Sequence, residues 1–189
     1  MSTKIINLFI NKGLILKDEK ELFICAVEQV FAYILNILSM IIIGLILNML
    51  FESILFTIAY IPIRIYAGGY HSKTQFRCYI FSVLMLISVL LILKIETINI
   101  IIIILIAILS SFIIFSLAPV EDKNKPLDEI EIKVYKKRTI RNLIILILVL
   151  FIFFILDKVN LSFCIAISLL CNTIMLILGK IKNSKNNYI

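Results

Sequence analysis

Residues 64–78 read Arg-Ile-Tyr-Ala-Gly-Gly-Tyr-His-Ser-Lys-Thr-Gln-Phe-Arg-Cys and hold the chain's one histidine, His71, with two of its five glycines and one of its four cysteines. Together these residue types point to thiol chemistry. A cysteine nucleophile acts as the thiolate, which needs a neighbouring base or a local positive potential. His71 precedes Cys78 by seven residues. In an unbroken helix the two would share a face but stand ~10 Å apart along the axis, beyond hydrogen-bond reach. The pair works only if His71 leaves the helix and folds back over its first turns, and Gly68-Gly69 just before it allows that bend. Thr74 or Ser72 suits the cap of a helix carrying Cys78 in its first or second turn, where the helix dipole, Arg77 and Lys73 favour a thiolate. Gln75, one turn before Cys78, and the first backbone amides of that helix are candidate donors to an oxyanion. One imidazole and one thiol leave a metal-ligand set incomplete, so no metal or other cofactor is expected. Spacing by itself does not separate such a dyad from a chance pairing.

The elements that must position this stretch are membrane helices. The 189-residue chain is 62% hydrophobic with a mean hydropathy of +1.11, which makes lipid its solvent. Charge-free runs cover residues 30–51, 97–120 and 159–179, each long enough for the ~20 residues that cross a bilayer. Shorter runs at 78–93 and 142–156 need their flanking cations to snorkel or the bilayer to thin. The shortest, 53–63, crosses only if its helix continues past Pro62 and Arg64 towards Gly68. The expected fold class is all-α: a polytopic membrane protein of about six transmembrane helices in one domain, 1–189. Its spans fall near 27–50, 53–67, 77–94, 97–118, 142–157 and 159–179. The segment 1–22 has the pattern of an amphipathic interfacial helix and lacks the apolar core of a signal peptide.

Charge placement orients these spans. With the hydrophilic segments assigned alternately to the two sides, 17 of the 19 basic residues share the side of both termini, and only Lys94 and Lys158 fall opposite. The positive-inside rule therefore puts both termini and residues 64–78 at the cytoplasmic face of a cell membrane. Such a distribution accounts for the net charge of +7 without nucleic acid. The connection 119–141 is a cytoplasmic loop in which Leu127, Ile130 and Val134 recur at helical spacing, as in an amphipathic helix on the inner leaflet. Glu28, Glu121 and Asp122 lie on the same side as His71 and are the candidates to orient it. Cys164 and Cys171 fall inside the last span as structural residues, and Cys25 lacks a neighbouring base.

The run from Arg64 through Gly68-Gly69 and His71 to Cys78 resembles the signature of the accessory gene regulator B (AgrB) family, membrane peptidases of Gram-positive quorum-sensing systems. That pattern is an Arg, one or two glycines shortly before a His, and a Cys seven residues on; all stand here. Residues 118–127 are similar to the family's connection between its fourth and fifth spans, and the likeness covers most of the chain. The resemblance implies a cysteine endopeptidase, a hydrolase that removes the C-terminal tail of a small AgrD-like propeptide. The peptide stays on the cysteine as a thioester until an internal nucleophile releases a cyclic thiolactone or lactone, the autoinducing peptide. It also implies Cys78 as nucleophile and His71 as general base, with Arg64 and Gly69 supporting the site. An acidic propeptide tail would suit Lys123, Lys125, Lys133, Lys136 and Lys137. Two other readings stay open: a non-catalytic membrane scaffold, and a small transport component, although the spans hold almost no ionisable pathway. A homodimer suits the short spans but has no small-xxx-small face to carry it.

Overall fold

The computed structural model describes residues 20–70, 74–94, 99–121 and 127–186. Among them the chain forms six helices: α1 Lys20–Ile46, α2 Leu50–Ala67, α3 Gln75–Leu93, α4 Ile100–Leu117, α5 Glu129–Ile155 and α6 Val159–Asn186. Five helices, α2 to α6, are long and apolar enough to cross a membrane. The chain is an all-helical, polytopic membrane protein. The expected interfacial helix at the N-terminus lies outside the described residues.

Each helix forms because an apolar segment in lipid must satisfy its own backbone. How it packs follows from where its small and polar residues fall. In α4, Ile103, Ala107, Ser110 and Ile114 recur on one face and are buried, while Ile101, Ile108 and Phe112 point outward and stay exposed. In α2 the buried stripe is Ser53, Phe56, Ala59, Ile63 and Ala67. Helix α6 differs: residues 162–169 are buried without a break, so it is covered on all sides and lies in the middle of the bundle. It packs against α2, α3, α4 and α5, whereas α1 leans on α2 and α3.

Polar side chains tie this apolar bundle together. Asn172 donates to the Tyr60 carbonyl at 3.3 Å, Thr173 to the Ser110 carbonyl at 3.2 Å, and Ser162 to the Leu150 carbonyl at 3.1 Å. All three donors sit on α6. Apolar side chains gain little by leaving lipid for a neighbouring helix, so such bonds and close packing carry much of the association.

Two boundaries bear on the sequence reading, and one of them differs from it. The second span does continue past Pro62: α2 runs 18 residues to Ala67, ~27 Å, with Asn142 of α5 donating to the Pro62 carbonyl at 3.0 Å. The connection 119–141, expected as a loop with its own interfacial helix, is not a loop throughout. Residues from Glu129 onward belong to α5, a single 27-residue helix ~40 Å long that joins the basic cluster directly to the following span. Helix formers Glu129, Glu131, Lys133 and Lys136 leave no break at Asn142, and the Glu131 carboxylate accepts the Asp128 N–H at 3.2 Å to start the helix.

Candidate active site

The C-terminus of α2 is the origin of the site. After Ala67 the chain turns out of the helix through Gly68 (φ +73°) and Gly69 (φ +112°). Backbone geometry of this kind is open mainly to glycine. Space demands glycine as well, since a Cβ on Gly68 would meet the Val120 carbonyl and one on Gly69 would stand 2.7 Å from the Met175 oxygen. The glycine pair was expected to give freedom; its observed part is a fixed turn.

Three separate elements fix it. Arg64, one turn before the end of α2, donates through one guanidinium nitrogen to the Gly68 carbonyl and through the other to the Tyr70 carbonyl. From the α4–α5 connection, Val120 forms a single parallel bridge with Gly68: the Val120 N–H donates to the Ala67 carbonyl at 2.8 Å and the Gly69 N–H to the Val120 carbonyl at 3.2 Å. From α6, the Met175 carbonyl accepts the Tyr70 N–H at 2.8 Å. Tyr70 is further held by its ring, 6.4 Å from Phe81 and 5.3 Å from the Lys182 ammonium.

Cys78 sits at the start of α3, half-buried and with a free thiol. Thr74 caps the helix as expected, its hydroxyl accepting the Arg77 N–H at 3.4 Å and its carbonyl the Cys78 N–H at 3.1 Å. Cys78 is thus in the first turn. One turn on, Phe81 meets Tyr70, so the pinned turn and the start of α3 share one end of the bundle. Beyond them a mostly apolar cleft of about 290 Å³ opens between α3 and α6, lined by Phe81, Met85, Ser88, Cys171 and Met175 among others.

The other expected site residues divide into two groups. His71, Lys73, Asp122, Lys123 and Lys125 lie outside the described residues, as do the side chains of Gln75 and Glu28. Glu121 is exposed, and its carboxylate accepts the Leu127 N–H at 3.2 Å, so it serves its own connection. Lys133, Lys136 and Lys137 are exposed on the first turns of α5. That end of α5 is anchored to α2: the Arg138 guanidinium reaches the Tyr66 hydroxyl at 3.1 Å and lies 5.1 Å over its ring, and Tyr135 meets the same ring edge-on. Cys164 lies near the opposite end, against the Glu52 carbonyl at 3.5 Å. Sequence reasoning missed Val120, Met175, Gly179 and Asn183, which donates to the Glu121 carbonyl at 2.6 Å. Of these only Gly179, a glycine ending an apolar run, left a signal in the sequence.

A sequence model of the accessory gene regulator B family matches residues 2–176. An AgrB-like protein of Clostridium perfringens strain SM101 is 28% identical over 117 residues, 58% of this chain and 55% of its own length. AgrB-like protein 1 of C. perfringens strain 13 is 31% identical over 118 residues, 62% and 63% of the two chains. The chain thus spans between half and two thirds of the length of these curated relatives. No solved structure matches it.

Proposed function

The chain belongs to the accessory gene regulator B family, and from that premise we propose that it is a membrane-embedded cysteine endopeptidase that processes a small AgrD-like quorum-sensing propeptide. Cys78 is the nucleophile and His71 the general base. The observation that supports this best is the pinned turn: Arg64, Val120 and Met175 fix the backbone up to Tyr70, one residue before His71, while Tyr70 touches the helix whose first turn carries Cys78. A dyad seven residues apart needs a fixed bend of this kind.

In the reaction, His71 takes the proton from Cys78 Sγ and the thiolate attacks the carbonyl before the propeptide tail. The tetrahedral oxyanion is stabilised by donors at the start of α3. Thr74 already accepts the Arg77 and Cys78 amides, so that role falls to Gln75 and Phe76. As the C–N bond breaks, the imidazolium returns its proton to the amine of the departing tail, leaving a thioester. A Cys thiol or Ser hydroxyl of the peptide then attacks the thioester, closing a thiolactone or lactone and restoring the Cys78 thiol. Glu28 and Asp122 are the candidates to orient His71. The active site faces the cytosol, with both termini, because the basic residues of α5 and of the end of α6 flank it. Lys123, Lys125, Lys133, Lys136 and Lys137 receive the acidic tail.

Replacing Cys78 by Ala and His71 by Ala, in cells making the propeptide encoded by an adjacent short reading frame, tests this. Loss of tail cleavage with normal membrane insertion is expected for both. Cleavage retained in either variant removes the dyad, and retained in both it leaves a scaffold.

A further inference from the structure

We infer that Gly179 of α6 is a positioning residue for this site, setting the place of the Gly69–Tyr70 backbone from which His71 continues. The inference rests on the dyad proposed above. It is not inherited from the family match, which ends at residue 176.

Met175, Gly179 and Lys182 are spaced i, i+4, i+7 and share one face of α6. Each touches the turn. Met175 offers its carbonyl to the Tyr70 N–H at 2.8 Å, and Lys182 lies 5.3 Å over the Tyr70 ring. Gly179 contributes by what it lacks. The Met175 carbonyl points along the helix towards residue 179, so a side chain there would cover the flank from which Tyr70 approaches. A Cβ on Gly179 would stand 2.6 Å from the Gly69 carbonyl carbon, 2.7 Å from the Tyr70 nitrogen and 2.8 Å from the Gly69 Cα. All three atoms are backbone, with no rotamer through which to yield. Carbon atoms in contact sit ~3.5–4.0 Å apart, so the turn must withdraw by roughly 1 Å. Arg64 and Val120 hold it from the other sides, and the withdrawal therefore falls on the segment leading to His71. Nothing comparable confines the neighbouring Leu178 and Lys180, which are exposed.

The test is Gly179→Ala in the full chain in native membranes, beside wild type and His71→Ala. Two readouts separate positioning from general packing: kcat and KM for the propeptide of the adjacent reading frame, and the pH profile of Cys78 alkylation by iodoacetamide in a chain whose other cysteines are alanine. The expected result is a kcat lower on the order of 10²-fold at unchanged KM, with an alkylation profile matching that of His71→Ala. A wild-type kcat and profile in Gly179→Ala, while His71→Ala is inactive, overturns this inference alone. Wild-type behaviour of His71→Ala overturns the dyad and the inference with it. Failure of Gly179→Ala to accumulate in the membrane also overturns it, by making Gly179 a packing residue of the whole bundle.

Discussion

Replacing Arg64 by Lys asks whether a two-pronged clamp, and not merely a positive charge, holds the turn before His71. The guanidinium directs one nitrogen to the Gly68 carbonyl and the other to the Tyr70 carbonyl. A lysine ammonium is a compact point donor on a flexible stem and does not reproduce that planar fork. Hydrogen bonds to charged groups contribute roughly 1.5–3 kcal/mol each. Arg64 is only half-buried, so the lower end of that range applies. Arg64→Lys then loses one bond, about 1.5 kcal/mol, and Arg64→Ala two, about 3 kcal/mol. At about 1.4 kcal/mol per tenfold, the equilibrium between docked and open turn shifts on the order of tenfold for Lys and 10²-fold for Ala. Hydrogen exchange at the Gly69 and Tyr70 amides, which donate to the Val120 and Met175 carbonyls, reads that equilibrium directly, and kcat for the propeptide in proteoliposomes follows it. Wild-type protection and kcat in Arg64→Lys, or an Ala variant no worse than Lys, would refute the clamp.

Three further outcomes are expected. Asn172→Leu removes the bond to the Tyr60 carbonyl and lowers resistance to SDS-induced unfolding by about 0.6–1.7 kcal/mol, the range for polar bonds between membrane helices; an unchanged unfolding midpoint contradicts the polar tie. Cys164→Ala with Cys171→Ala leaves propeptide cleavage at the wild-type rate in a coupled vesicle assay, because neither thiol lies at the start of α3; loss of cleavage in well-inserted protein would move the nucleophile. Reversing Lys133, Lys136 and Lys137 to Glu raises KM for an acidic-tailed propeptide while kcat holds, with a defect that shrinks as salt screens the exposed charges; a KM unmoved at low ionic strength excludes these lysines from substrate binding.

Much of the fold was legible because lipid imposes a simple code. Uninterrupted apolar length marks helices, and the runs at 97–120 and 159–179 correspond to α4 and most of α6. Local chemistry was legible too: Thr74 caps α3 and places Cys78 in its first turn, because an N-cap hydroxyl and the helix it starts are neighbours in sequence. What failed was non-local. Apolar length locates where lipid ends, not where a helix ends, so α5 extends from Glu129 through the basic cluster. The turn's partners were invisible for a related reason. Val120 and Met175 act through backbone atoms that every residue carries, at separations of about 50 and 100 residues, and no side-chain type announces them. The glycines were read as freedom because sequence shows that glycine permits many conformations, whereas only the surrounding bonds select one.

Those bonds also explain how the backbone can leave α2 in an irregular turn. Non-helical backbone near lipid persists only where protein or water satisfies its polar groups. Here the N–H groups of Gly68, Gly69 and Tyr70 donate to the carbonyls of Arg64, Val120 and Met175, while the carbonyls of Ala67, Gly68 and Tyr70 accept from Val120 and from Arg64. Protein atoms satisfy these six groups, and together they hold the turn against the elements around it. A loop bonded to solvent would make as many hydrogen bonds but sample many shapes, and a base carried on it would meet a thiol only occasionally. The same dependence on several anchors makes the turn brittle. Losing Arg64, the Val120 bridge or the α6 platform leaves backbone polar groups of the turn without their protein partners, so damage to any one anchor should register first as a mobile turn and, on the reading proposed above, as slower propeptide cleavage, before the bundle itself comes apart.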